Sequence, residues 1–183
     1  HYDDRGQVVD NQRISVTLRQ SCLDAKELIA RGMNARQVKD ELERVKFESS
    51  IYIMINTLTY LKKGGRLTPA AAAIGSLLKI KPVLQIQGEK LDSFAKTRTI
   101  QGGKDIIINA IRKDMENRFG CTEKCHNVHL EMAYTYDEDA ADQFCKELSE
   151  AFPGYEIDRR PLSLSIACHI GPGALAAAVS KKI

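Results

Sequence analysis

Ile51-Tyr52-Ile53-Met54-Ile55 is an unbroken apolar run rich in β-branched side chains. A strand of that composition has no side to turn to water, so it must lie inside a layered fold with both faces covered. The rest of the chain has to supply the covering layers. Residues 17–30 read as a helix with Leu18, Cys22, Ala25, Leu28 and Ile29 on one face. Gly32 ends it, and Asn34 suits the N-cap of a second helix carrying Val38, Leu42 and Val45. Ahead of both, residues 7–9 read as the end of a short strand. Residues 57–61 make a helical turn that stops at Gly64-Gly65, and Pro69 opens an Ala-rich helix to about residue 78.

Beyond that point the period changes. Residues 81–87 and 90–98 read as a hairpin around Gly88-Glu89. Residues 103–118 form an amphipathic helix with Ile106, Ile107, Ala110, Ile111 and Met115 inward. Residues 128–134 alternate as a strand should, and 137–152 read as a helix whose acidic first turn suits its dipole. Short strands are expected at 155–157 and 164–170, the second running into the Gly171-Pro172-Gly173 break. Residues 174–179 fit either a strand or a last helical turn. The fold class is α/β, mixed α and β, with helices flanking a sheet that the hairpin prevents from being purely parallel.

Composition narrows the function classes. With 183 residues and 43% hydrophobic side chains, the chain can bury a core without disulfides or metal. The 27 basic and 24 acidic residues leave a net charge of +3, too small to argue for nucleic acid. Aromatics reach 6% and Trp is absent, so stacking platforms for single strands are poorly supplied. Five cysteines without a secretion signal read as reduced thiols of a cytoplasmic protein. The uncharged stretch 67–78 is shorter than the roughly 20 residues of a membrane span. The longer one, 161–180, is broken by Gly171-Pro172-Gly173, so no stable membrane insertion is expected. The chain opens at His1 with no targeting pattern, and reads as an excised part of a longer one.

Four constellations could carry chemistry. Residues 26–46 have the outline of a DNA-binding helix-turn-helix, with Asn34, Arg36 and Gln37 to read bases and Arg44 and Lys46 for phosphates. The plainer reading is an α-hairpin packed on a sheet. Cys121, Cys125, His126 and His129 invite zinc, but the spacing is poor, and no metal is expected. Lys62-Lys63-Gly64-Gly65-Arg66 is either an anion clamp or a helix C-cap with a solvated basic end. His169, ahead of Gly171-Pro172-Gly173, either donates to an anion in a cleft or is structural. There is no G-x-S-x-G, P-loop, G-x-G-x-x-G or H-E-x-x-H, so nothing pairs a nucleophile with a base. An anion site beside much apolar surface points to a ligand charged at one end and apolar at the other.

Residues 57–67, Thr-Leu-Thr-Tyr-Leu-Lys-Lys-Gly-Gly-Arg-Leu, resemble the D-T-L-x-x-L-x-K-G-G-R-I signature of the DegV family of bacterial fatty-acid-binding proteins. The resemblance continues through Ala71-Ala72, residues 75–78, residues 80–84, the tract 96–99 and residues 169–174, with Val9-Asp10 and Ser15 upstream. Asn56 stands where the family usually has Asp, and Asn11, Thr17 and Arg19 replace a Ser and two glycines. The resemblance implies a DegV-like C-terminal domain at 49–183, with 1–48 a remnant of an N-terminal α/β domain and connecting helices. It implies a long-chain fatty acid bound between the two domains, with Arg66 and His169 at its head group. Gly64, Gly65, Gly171, Pro172 and Gly173 would form the site backbone, and Ile74, Leu77 and Leu78 would line the acyl chain. It further implies, for some members, presentation of the acyl group to a separate fatty-acid kinase. No cofactor is expected beyond the lipid ligand. The alternatives are the helix-turn-helix regulator and a stand-alone acyl- or phosphoryl-transfer enzyme.

Overall fold

The computed structural model describes residues 6–66, 80–88, 90–121 and 127–183. Their elements are α1 (Ser15–Ala30), α2 (Ala35–Arg44), β1 (Ser49–Met54), α3 (Thr59–Lys63), β2 (Lys81–Gln87) and β3 (Lys90–Thr97). There follow α4 (Ile100–Asn117), β4 (Val128–Tyr134), α5 (Glu138–Ala151), β5 (Ile157–Pro161), α6 (Leu164–Ile170) and β6 (Leu175–Lys181). The strands make one mixed sheet in the order β3-β2-β1-β6-β4-β5. Every adjacent pair is antiparallel except β4 and β5, which α5 connects as a parallel crossover. The expected Ala-rich helix from Pro69 lies outside the described residues.

Strand β1 sits between β2 and β6, and all six of its residues are buried. Tyr52 and Met54 face a core built by Ile107, Ile111 and Met115 of α4 and Phe144 and Leu148 of α5. Ile51 and Ile53 face the other way, into a core with Val16 of α1, Leu61 of α3 and Ile170 of α6. The apolar run therefore has the two-sided cover that its composition demands. On the α4 side, Tyr52 keeps its hydroxyl satisfied by donating to Asp114 Oδ2 at 2.8 Å.

Several local expectations hold for local reasons. Gly32, at φ +91°, closes α1 as the Gly32 and Met33 N–H groups donate to Ile29 and Leu28 carbonyls. Asn34 caps α2 in a reciprocal capping box with Gln37. Residues 174–179 resolve as strand, within β6.

Other expectations are corrected. Residues 7–9 belong to no strand. The strand expected at 155–157 lies at Ile157–Pro161 instead, in register with β4. Residues 164–170 form helix α6, not a strand: seven residues of mixed apolar and small side chains fit either period, and Ser163 starts a turn as its carbonyl accepts the Ile166 and Ala167 N–H groups. The expected face of α1 holds only at Ala25 and Leu28, which pack against Val38 and Leu42. Thr17, Gln20, Ser21 and Asp24 are buried, whereas Leu18, Cys22 and Ile29 are exposed. The ground beneath α1 is polar: Asn11 donates to Ser21 Oγ at 2.7 Å, and Arg13 lies against Asp24.

Phe144 is fully buried at the centre of the α4–α5 layer. Phe144→Ala should cost about 3–5 kcal/mol of stability, read as a lower urea midpoint at unchanged slope.

Candidate functional site

The site is assembled at the end of the sheet where β1 leaves and β6 begins. After Ile55, whose N–H donates to the Pro82 carbonyl at 3.1 Å, Asn56 turns the chain. Its side-chain oxygen accepts from Lys81 Nζ at 2.7 Å, and its amide donates to the Pro172 carbonyl at 3.3 Å. An Asp here could accept from the lysine but could not donate to the carbonyl, so the amide ties together three segments. Thr57 and Thr59 then share a 2.8 Å hydroxyl bond at the start of α3.

Helix α3 ends in a Schellman motif. The Gly65 N–H donates to the Lys62 carbonyl at 3.2 Å and the Arg66 N–H to the Leu61 carbonyl at 2.9 Å. Gly65 occupies φ +64°, which fits glycine and strains other residues. The structure shows the helix C-cap, and the cap fixes where Arg66 leaves the helix. Lys62 and Lys63 lie in the same last turn, exposed, where cations complement the helix dipole.

Helix α6 supplies His169, which therefore leaves a helix end rather than the strand end expected from sequence. Gly171 closes α6 at φ +84°, its N–H donating to the Ala167 carbonyl at 2.7 Å. Thr135 clamps the following loop: its hydroxyl donates to the Gly171 carbonyl at 2.7 Å and accepts from the Ala174 N–H at 2.9 Å. The two short helices then interlock through rings on glycines. The Tyr60 ring of α3 lies where a Gly171 Cβ would stand, and the His169 ring of α6 lies where a Gly64 Cβ would stand. Gly173 likewise has its Cβ position filled by the Asn56 amide.

This interlock brings Arg66, Gly65 and His169 to the edge of one cavity of about 540 Å³. Its other walls are apolar, from Ile14, Leu61, Ile86, Leu91, Ile166 and Ile170, with Gln12, Gly88 and Lys90 completing the lining. A cavity of this size, mostly apolar with a cation and an imidazole at its edge, suits an amphipathic ligand with an anionic group. Gly64, Gly171, Pro172 and Gly173 act from behind the lining, as packing surfaces and bond partners. Ile74, Leu77 and Leu78 lie outside the described residues. Sequence reading missed Ile14, Ile86, Leu91 and Ile166, which come from four separate elements or loops, and Tyr60 and Thr135, which hold the site's frame.

The other constellations separate. Asn34 and Gln37 spend their side chains on each other's backbone, Arg36 pairs with Asp40 and Arg44 with Glu41. The 26–46 segment is an α-hairpin in which Leu28, Val38 and Leu42 form a small core, and nothing in it supports base reading. Cys121 hydrogen-bonds Asn127 beside α4, whereas His129 lies on β4. Among the described residues no group of three His, Cys, Asp or Glu side chains could hold a metal ion, while Cys125 and His126 lie outside them.

The family model described as "Uncharacterised protein, DegV family" matches residues 1–182. The chain belongs to the DegV family. Protein DegV of Bacillus subtilis is 32% identical over 154 residues, 84% of this chain and 52% of that protein. A solved DegV family protein from Thermus thermophilus, described by its fatty-acid binding, is 30% identical with a TM-score of 0.85, over 98% of this chain and 62% of that one. The structure of DegV from Bacillus subtilis, described as a fatty acid binding protein, gives a TM-score of 0.77 at 29% identity, over 94% of this chain and 59% of that one. The chain spans about half the length of the curated DegV relatives it matches. No helix among the described residues is long and apolar enough to cross a membrane.

The packing of His169 on Gly64 can be tested directly. Gly64 has φ −80°, which any residue adopts, so Gly64→Ala strains no backbone. The added methyl must instead push the His169 ring aside. Folding stability should change by less than about 1 kcal/mol, while the His169 imidazole resonances shift in NMR spectra. Unshifted resonances would mean the ring does not rest on Gly64.

Proposed function

We propose that this chain binds a long-chain fatty acid, with the carboxylate at Arg66 and His169 and the acyl chain along the apolar wall from Leu61 to Ile166. The observation that carries the reading is the convergence of Arg66 and His169 on a single, otherwise apolar cavity. The solved DegV proteins described as binding fatty acids support it. Burying each methylene contributes about 0.8 kcal/mol, so the acyl chain supplies most of the affinity. The head-group contacts orient it through charge-assisted bonds.

In this proposal the cleft is completed by a second α/β domain. Residues 49–183 form the C-terminal domain, residues 1–48 are a remnant of the N-terminal domain with connecting helices, and Ile74, Leu77 and Leu78 would line the acyl chain. The protein acts in the cytoplasm as a carrier rather than an enzyme. Any phosphorylation of the acyl carboxylate belongs to a partner kinase that meets the head group from the Lys62-Lys63 side.

The test compares acid with ester in a protein of the relatives' full length. Arg66→Ala or His169→Ala should weaken binding of a long-chain fatty acid by about 1–3 kcal/mol. The methyl ester of the same lipid offers no charge to pair and should lose much less. Equal losses for acid and ester, or none for either, would make the two residues structural. Turnover of fatty acid with ATP in the absence of any partner would favour the enzyme reading instead.

A further inference from the structure

On the α1 side of the sheet three ionisable side chains are buried together. Arg13 is 8% exposed, Asp24 1% and Glu131 2%. Arg13 donates through Nη2 to the Val45 carbonyl at 3.1 Å, and its Nη1 lies 3.7 Å from Asp24 Oδ2. Asp24 accepts from Gln20 at 2.8 Å through its other oxygen. Glu131, on β4, accepts from Ser180 of β6 at 3.2 Å. Arg13 Nε and Nη1, Asp24 Oδ2 and Glu131 Oε1 have no hydrogen-bond partner among the described residues. Of these, Arg13 Nη1 and Asp24 Oδ2 face each other as an ion pair, and buried charges held this loosely contribute little to stability.

The charges do not balance inside it. One guanidinium serves two buried carboxylates, and it sits close to only one of them. The other groups facing Glu131 are Arg19 on α1 and Asp158 on β5; Asp158 pairs with Arg19 at 2.5 Å and with Arg160 of β5 at 2.8 Å. His129, two residues away on β4, lies near Asp24, Glu27 and Lys182, and Glu48 faces Arg13 from the turn before β1. Burial pushes the Glu131 carboxyl up to about 7, with Asp158 pushing the same way and Ser180, Arg13 and Arg19 opposing. Burial also raises Asp24, against Gln20 and Arg13. At neutral pH Glu131 is therefore near its midpoint, and a modest rise in pH places a second, poorly compensated negative charge beneath α1.

Position in the chain makes this matter. Arg13 stands between Gln12 and Ile14, both of which line the ligand cavity, and Ser15 begins α1. We propose that Arg13, Asp24 and Glu131 form a proton-sensitive latch that seats the start of α1 on the sheet and holds the Gln12–Ile14 wall of the cavity in place. With Glu131 protonated, Arg13 stays with Asp24 and the wall is fixed. When the proton leaves, the charged carboxylate draws on Arg13 or on water, and the start of α1 loosens. The latch acts whether the cavity takes an acyl chain or another ligand.

Because Glu131 binds its proton more tightly when folded, its contribution is complete below its ordinary carboxylate range and is lost as pH rises through about 7. Asp24 has the same sign. His129, lowered by burial, has the opposite one, its contribution being lost as pH falls. Glu131→Gln separates them. Hydrogen exchange of residues 12–30, corrected for the intrinsic pH dependence, should be up to about tenfold faster at pH 8.5 than at pH 6 in the unsubstituted chain. Glu131→Gln should lose most of this acceleration at pH 8.5, with α4 and α5 unaffected in both proteins. Equal corrected exchange in the unsubstituted chain, an undiminished acceleration at pH 8.5 in Glu131→Gln, or a change spread evenly over α4 and α5 would each overturn the latch. Should Glu131→Gln not fold, carboxyl NMR of the unsubstituted chain decides: titration of Glu131 in the ordinary carboxylate range would overturn it as well.

Discussion

Strand β1 is paired along both edges, with β2 and with β6, and is covered on both faces. Every part of the site depends on it. Its last residues lead directly into Asn56, which holds Lys81 at the start of β2 and Pro172 before β6, the two strands that flank β1 in the sheet. A strand fixed on four sides cannot slide by one residue without turning Ile51 and Ile53 from one core into the other. The register therefore sets the height at which α3 and α6 meet. Fully burying each large apolar side chain of β1 contributes about 1.5–3 kcal/mol, and that burial resists the slip.

The two helices that carry Arg66 and His169 have five and seven residues, too short to be stable alone. They hold each other, through Tyr60 on Gly171 and His169 on Gly64, and both rest on β1 and β6 through Leu61 and Ile170. Glycine has two distinct uses here. At Gly65 and Gly171 the backbone needs a positive φ, whereas at Gly64 the conformation is ordinary and only the space above the backbone matters. Thr135, reaching from the end of β4, joins this frame to the far half of the sheet. The result is a cavity edge whose backbone is fixed before any ligand arrives, which in the proposed function keeps the ordering cost of binding low.

Much of this was legible in the chain. The apolar run at 51–55, the hairpin across Gly88, the Asn34 cap and the Gly64-Gly65 stop all depend on neighbours within a few residues, and all appear in the structure. The ordered motifs around Arg66 and His169 also identified the family that the comparison supports. Two kinds of feature were not legible. Residues 164–170 have a pattern compatible with two periods, and only the packing of Ile170 and the closure at Gly171 favour the helix. In α1 the apolar stripe predicted burial correctly only at Ala25 and Leu28, because Thr17, Gln20, Ser21 and Asp24 turn inward as well, with Arg13 buried against Asp24.

The sequence by itself determined the fold class, most element boundaries, the family and the two residues nearest the cavity edge. These follow from side-chain periodicity, turn chemistry and short motifs, in which cause and effect lie close together along the chain. Tertiary structure alone decided that Ile14, Ile86, Leu91 and Ile166 share one apolar wall, that His169 rests on Gly64, and that one guanidinium is shared by Asp24 and Glu131. Those contacts join residues from distant parts of the chain, and their partners are fixed by strand order and helix seating. Local pattern carries no record of either.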